Sequence, residues 1–356
     1  MFNYLEFFIA IIMSALATFI LTFFVRELAI KFKFMDVPDY RKIHKNPTPR
    51  IGGIAIYLGF LIGLLYLQPS NQHMPAIIVG SLIIVITGAL DDKYSIRPIV
   101  KLAGQTTGAG LLVFSGLVID RVTLPIIGMV DLGFFGIILT LLWIVGITNA
   151  INLIDGLDGL ATGVSTIALL SMFFMAIIQG QVVAAYLSIA LVGSNLGFLY
   201  HNFYPAKIYM GDTGSNLLGY MIAVISILGL FKNIALFSFI IPITILAVPI
   251  FDTLFAIVRR AANQQKIMAP DNKHIHYQLL HVGFTHRQSV LIMYAFSLVF
   301  GVLAIVSTQV SMITTLIITL FVIGLLYILA EMSGLIRGGE RPVVDYILRI
   351  MNIKKR

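Results

Sequence analysis

The 356-residue chain is 59% hydrophobic and 11% charged, with a mean hydropathy of +0.97, a balance that no water-soluble domain of this length needs to fill its core. It has no cysteine, which excludes disulfides, thiolate catalysis and zinc-thiolate sites and leaves any metal to oxygen or imidazole. The net charge of +8 reads as basic residues flanking apolar spans, so no nucleic-acid partner is expected.

A spanning helix takes about 20 mostly apolar residues. In chain order the sequence predicts spans at 5–26, 52–68, 75–90, 99–118, 132–148, 159–179, 182–200, 213–231, 236–257, 289–307 and 312–330, eleven in all. The first lacks a small-residue cleavage site and reads as a spanning helix rather than a removable signal. The expected fold class is all-α: a polytopic membrane protein with one transmembrane catalytic domain over 1–330 and a basic tail over 331–356. With these spans, 22 of the 24 Lys and Arg fall on one side of the bilayer, and only Arg121 and Lys232 on the other. The positive-inside tendency then places the amino terminus outside and the carboxyl terminus in the cytoplasm.

Only sixteen Asp and Glu exist, and acids at a membrane boundary are costly. Asp91, Asp92, Asp155, Asp158, Asp212 and Asp271 fall in or beside the cytoplasmic loops, with Asp252 inside the same end of its helix. Asp36, Asp39, Glu340 and Asp345 read simply as loop acids. "GALDDKYSIRP" (88–98) sets two adjacent carboxylates at a span end, where like charges call for a cation or a proton. In "NAINLIDGLDGLATG" (149–163), Asn149, Asn152, Asp155 and Asp158 recur every three residues, so consecutive pairs would neighbour one another on a helical surface. Helix capping accounts for one or two of these four, not all. "MGDTGSNLLGY" (210–220) places Asp212 before an apolar helix, where it also reads as an N-cap.

Between spans nine and ten, Arg259, Arg260, Lys266, Lys273, His274, His276, His281, His286 and Arg287 gather, a concentration suited to phosphate oxygens. His274 and His276 point the same way if the segment is extended; a metal site is the rival reading, although the acids are better ligands for a hard cation. "RKIHKNPTPRIGG" (41–53) adds Lys45 and Arg50, either facing headgroups or touching substrate.

Together "RKIHKNPTPRIGG", "LDDKYSIRPIVK", "NAINLIDGLDGLATGVS", "NFYPAKIYMGDTGSNLLGY", "FDTLFAIVRR" and "DNKHIHYQLLHVGFTHRQ" resemble the polyprenyl-phosphate N-acetylhexosamine-1-phosphate transferases, from about residue 35 to 290 and in the same order. The likeness is greatest to the bacterial enzymes that load N-acetylglucosamine-1-phosphate onto undecaprenyl phosphate, such as the type initiating wall teichoic acid. The resemblance implies UDP-N-acetylglucosamine as donor, undecaprenyl phosphate as acceptor, UMP as product, Mg2+ or Mn2+ as cofactor, an active site on the cytoplasmic face of the bacterial cell membrane, and a homodimer as a plausible assembly. It implies catalytic roles for Asp91, Asp92, Asp155 and Asp158, substrate contacts from Lys45, Asn152, Asp158, Arg260, His274 and His276, and metal contacts from Asp212, Asn152 and Asp155. Many relatives carry a second adjacent histidine and then a basic residue where this chain has Tyr277 and Gln278; the related enzyme that handles a muramoyl-pentapeptide donor carries consecutive histidines here, and their absence argues against that substrate. The rival from another class is an ion-coupled transporter, which would place its acids near mid-membrane and repeat its halves.

Overall fold

The computed structural model describes residues 3–36, 47–124, 128–229, 240–265, 273–334 and 342. The chain divides into two compact units, Met1–Pro242 and Ile243–Arg356.

The first unit contains α1 (Tyr4–Lys31), β1 (Met35–Asp36), β2 (Thr48–Pro49), α2 (Gly53–Leu67), α3 (Met74–Tyr94), α4 (Pro98–Phe114), β3 (Arg121–Leu124), β4 (Gly128–Asp131), α5 (Phe134–Ile154), α6 (Leu160–Ile178), α7 (Val182–Asn202) and α8 (Gly211–Gly229). Prolines in the first turn start α3 and α4, where a missing N–H costs no intrahelical bond. The helices α1, α2 and α7 pack on one another, and α3 and α5 pack on α8. Every residue of α8 is buried, so this helix is the axis of the unit. Glycine permits the closest approaches to it: a Cβ on Gly53 of α2 would lie 2.2 Å from the backbone N of Gly214.

Several hydroxyl side chains inside the apolar helices satisfy themselves by donating back one turn, as Thr140 Oγ1 does to Gly136 O at 2.6 Å and Thr148 Oγ1 to Ile144 O at 2.6 Å. Outward faces are apolar: Leu16, Ile20 and Phe24 on α1 and Leu142 on α5 are all exposed. Water would not tolerate such a surface, whereas lipid requires it.

After α9 (Ile240–Ile245), which crosses the division between units, the second unit contains α10 (Ala247–Ala262), α11 (Ile275–Val282), α12 (His286–Ser307) and α13 (Met312–Met332). A capping box from Thr285 and Gln288 starts α12, and Ser311 caps α13.

Among the described residues seven helices are long and apolar enough to cross a membrane, namely α1, α3, α5, α6, α7, α12 and α13, with α2 a shorter apolar helix. The chain is an all-α polytopic membrane protein. The seven coincide with expected spans; the expected spans at 99–118 and 213–231 overlap α4, which stops at Phe114, and α8. The expected span 236–257 is corrected: its described part is broken at Leu246 into α9 and α10. Pro249 has no N–H to give the carbonyl of Ile245, so the ladder cannot run through this point. Two antiparallel ribbons were not expected. In one, β3 pairs with β4, Arg121 opposite Asp131, closed by an exposed ion pair at 2.6 Å.

Candidate active site

The site of the first unit begins with backbone pairing. Tyr209 N–H donates to Pro49 O at 2.8 Å, Gly52 N–H to Tyr209 O at 2.9 Å and Gly53 N–H to Met210 O at 2.9 Å, tying the segment before α2 to the segment before α8. Arg50 is thereby carried to the amino-terminal end of α8. Its Nε meets Asp92 Oδ1 at 2.9 Å, its Nη2 meets Asp212 Oδ1 at 2.6 Å, and Nη1 lies 3.7 Å from Asp36 Oδ1. Burial works against the guanidinium charge, but Asp92 and Asp212 more than offset it and hold the group protonated above its ordinary range.

Asp92 caps α8 from outside that helix. Its Oδ1 accepts from Asp212 N–H at 2.8 Å, and its Oδ2 accepts from Thr213 N–H at 3.0 Å and Thr213 Oγ1 at 2.6 Å. A carboxylate here fills orphan donors at the positive end of the helix dipole. Gly211 makes room for it: its φ is +69°, and a Cβ would lie 2.4 Å from Asp92 Oδ2. The Asp212 N-cap reading is thus corrected, since Asp212 stands inside the first turn and Asp92 does the capping.

The neighbouring Asp91 behaves differently. Its side chain is 16% exposed against 0% for Asp92, and its Oδ2 lies 3.3 Å from Lys101 Nζ. That ammonium also bonds Asp212 Oδ2, so Lys101 links Asp91 to Asp212 as Arg50 links Asp92 to Asp212. Lys101 reaches this point because α4 starts at Pro98 directly after the turn that ends α3.

The helical-surface reading of 149–158 applies only to its first half. Helix α5 ends at Ile154, Asp155 is its C-cap, and the chain turns before α6 starts after Gly159. Asn149 Nδ2 donates to Gln105 Oε1 at 2.8 Å, Gln105 Nε2 donates to Asn216 Oδ1 at 3.2 Å, and Asn152 Oδ1 accepts from Ser215 Oγ at 2.8 Å. Asp158 Oδ2 accepts the N–H of Ala206 at 2.9 Å and so anchors the loop between α7 and α8. Burial pushes the Asp155 carboxyl up to about 7, with Asp212, Asp92 and Asp158 adding to the rise and Arg50 opposing it.

In the second unit, His274 is the N-cap of α11 and His276 lies in its first turn, so the pair is not on an extended segment; their rings are nonetheless stacked, with centroids 5.8 Å apart and planes within 6°. Arg260 is buried in the last turn of α10. Lys45, Lys266 and Asp271 lie outside the described residues. Both ring nitrogens of His276 are buried without a hydrogen-bond partner among the described residues. Burial pushes its imidazole down to about 4 from 6.5. The depressed value means that the folded protein forgoes a proton the unfolded chain takes up, so stability present above pH 6.5 is lost as pH falls toward 4. The loss at pH 5 is about 2 kcal/mol. Melting of the detergent-purified protein therefore drops further between pH 7.5 and pH 5 for the parent than for His276→Gln; equal drops contradict this assignment.

Residues 74–230 match the family model described as Glycosyl transferase family 4. A Bacillus subtilis (strain 168) protein named "Probable undecaprenyl-phosphate N-acetylglucosaminyl 1-phosphate transferase" is 45% identical over 345 residues, 96% of either chain. The chain belongs to glycosyl transferase family 4. Two further relatives are a decaprenyl-phosphate N-acetylglucosaminephosphotransferase of Mycolicibacterium smegmatis (35% identical over 79% of this chain and 77% of the relative) and an undecaprenyl-phosphate alpha-N-acetylglucosaminyl 1-phosphate transferase of Salmonella typhi (30% over 81% and 80%). These are transferases by name, and nothing in the matches supports the transporter reading.

The family 4 match contains every acid of the first cluster except Asp36, but not Arg50. Carboxylates outnumber the two cations that meet them, and all donors are hard oxygens, which suits a divalent cation such as Mg2+ in kind and charge. In this arrangement Arg50 and Lys101 take the oxygens of Asp212, and among the described residues no three acidic, histidine or cysteine side chains converge as a metal cage. A cation that binds there shares the Asp212 oxygens with Arg50 and Lys101 or displaces one of them.

The sequence reading missed Lys101 and Thr213, and left Arg50 open between headgroup and substrate. Lys101 offered a signal, a lone cation within an apolar helix, which was absorbed into the charge count for orientation.

Proposed function

We propose that this family 4 protein transfers N-acetylglucosamine-1-phosphate from UDP-N-acetylglucosamine to undecaprenyl phosphate, releasing UMP, as the first membrane step of a cell-envelope polymer such as teichoic acid. The observation that carries this reading is the alternating chain Asp91, Lys101, Asp212, Arg50, Asp92 at the amino terminus of α8, a partly buried set of charges able to exchange partners with phosphates. The proposal includes eleven spans, the four beyond the seven being 52–68, 99–118, 213–231 and 236–257, the described part of the last being in two helices. It includes a single catalytic domain over 1–330, a cytoplasmic active face, a basic tail over 331–356 and a homodimer.

In the reaction an oxygen of the lipid phosphate attacks the β-phosphorus of the donor, the bond from that phosphorus to the bridging oxygen breaks, and UMP leaves with the bridging oxygen. Asp91, the partly exposed acid of the pair, faces the lipid phosphate and accepts its proton when it carries one. Lys101 and Arg50 offset charge as the two anions approach. Mg2+ or Mn2+ held by Asp212 with Asn152 and Asp155 would neutralise the donor diphosphate and the leaving group. Asp92 and Asp158 act through the backbone they hold, and Lys45, Arg260, His274 and His276 supply donor contacts.

The test is UMP release by the purified protein in detergent. Release occurs with UDP-N-acetylglucosamine, requires undecaprenyl phosphate and stops with EDTA until Mg2+ is restored. Lipid-independent release, or none with any UDP-N-acetylhexosamine from folded protein, overturns the proposal.

A further inference from the structure

Asp252 is a buried acid that this chemistry does not use. It lies in α10 at 1% exposure, and each of its oxygens has a partner: Oδ2 is 2.8 Å from His274 Nδ1, and Oδ1 accepts the N–H of Ile275 at 2.9 Å. An isolated carboxylate is expensive to bury, so a site of this kind is built around the groups that meet it. An ionised carboxylate only accepts, which puts the shared proton on Nδ1 of His274. The other ring nitrogen, Nε2, has no hydrogen-bond partner among the described residues. His276 lies parallel to the same ring, and Tyr277 packs on His276 with centroids 4.2 Å apart. The His274 imidazole is thus held at one edge and on one face, with Nε2 left over.

We propose that Asp252 is a positioning residue for His274, fixing its tautomer and ring plane so that Nε2, which carries no proton in that tautomer, accepts a hydrogen bond from a hydroxyl group of the donor. The inference rests on the reading of His274 as a donor contact and adds the residue that makes this contact effective. Outer partners that orient a metal-ligating histidine are typically worth ten- to a hundredfold when removed, and the same scale is expected for a histidine oriented toward substrate. The same carboxylate holds the start of α11 through Ile275, so a loss of function alone does not separate orientation of the ring from support of the helix.

A double-mutant cycle separates them. Asp252→Asn keeps an acceptor for the Ile275 N–H but turns an amide N–H toward Nδ1, which disfavours the native tautomer. Measured on the full chain with UDP-N-acetylglucosamine varied at saturating undecaprenyl phosphate, Asp252→Asn lowers kcat/KM for the donor by about ten- to a hundredfold, with melting temperature retained. In the His274→Ala background the same substitution has no further effect. An equal loss in both backgrounds overturns the proposal, because Asp252 then acts without His274. Full activity of Asp252→Asn beside an impaired His274→Ala also overturns it, while leaving the His274 reading intact. An unimpaired His274→Ala removes that reading itself, a distinct signature. Asp252→Ser is the second variant if the asparagine protein does not fold; if neither folds, Asp252 is a determinant of the fold and the positioning role is wrong.

Discussion

Asp212→Asn and Asp91→Asn each lower the rate of UMP release by at least about a hundredfold while the protein stays folded. Asparagine preserves volume at both positions, removes the charge and leaves one acceptor oxygen where there were two. At Asp212 the lost charge is the one on which Arg50 and Lys101 converge, so both cations are left facing a neutral amide inside the protein. At Asp91 the loss falls on the acid of the pair that has an open side, the one able to meet a lipid phosphate. Asp92→Asn fails in another way. It strips the charge from the cap of α8, where three donors converge on one carboxylate, and it lowers the melting temperature as well as the rate. Rates near the parent value for Asp212→Asn or Asp91→Asn, measured as lipid-dependent UMP release beside a melting curve, contradict these assignments.

Gly211→Ala is expected to remove activity altogether and to cost at least about 2 kcal/mol of stability. The residue occupies the left-handed region at φ +69°, which an L side chain rarely adopts, and the new methyl would lie within 2.4–2.7 Å of the Asp92 carboxylate. To relieve the clash Asp92 must leave the donors at the start of α8, and Arg50 loses one of its carboxylates with it. Gly146→Ala is the matching control. It lies within α5, and a Cβ there meets nothing within 4 Å, so the substitution leaves activity intact and stabilises by about 0.5–1 kcal/mol. A functional Gly211→Ala protein with an unchanged melting temperature contradicts the account of Asp92 as the cap of α8.

The sequence carried much of this architecture because lipid imposes one rule on every span: a run of apolar residues long enough to close its own hydrogen bonds. That rule found the seven long helices. It failed at Leu246, where hydropathy is continuous but Pro249 interrupts the backbone ladder, a property of donors rather than of apolarity. It was silent on the ribbons, since pairs such as Arg121 with Asp131 are set by register between strands. The acids were legible because charge at a membrane boundary needs a reason. Their division of labour was not. Asp91 and Asp92 are adjacent in sequence, yet one caps a helix 120 residues away and the other pairs with Lys101. The bonds from Asp92 to Thr213 and from Asp252 to His274 depend on which helix ends meet, and no local pattern encodes that.

The most direct test of the central claim follows the β-phosphate of the donor. UDP-N-acetylglucosamine labelled with 32P at the β-position is incubated with the purified protein, undecaprenyl phosphate and Mg2+, and label is counted in the organic-extractable lipid and in the aqueous nucleotides. Transfer of sugar-1-phosphate moves the label into lipid in step with unlabelled UMP. Label that stays in water as UDP while sugar enters the lipid would mean that the bond broken is the glycosidic one, and the proposed attack on the β-phosphorus would be wrong.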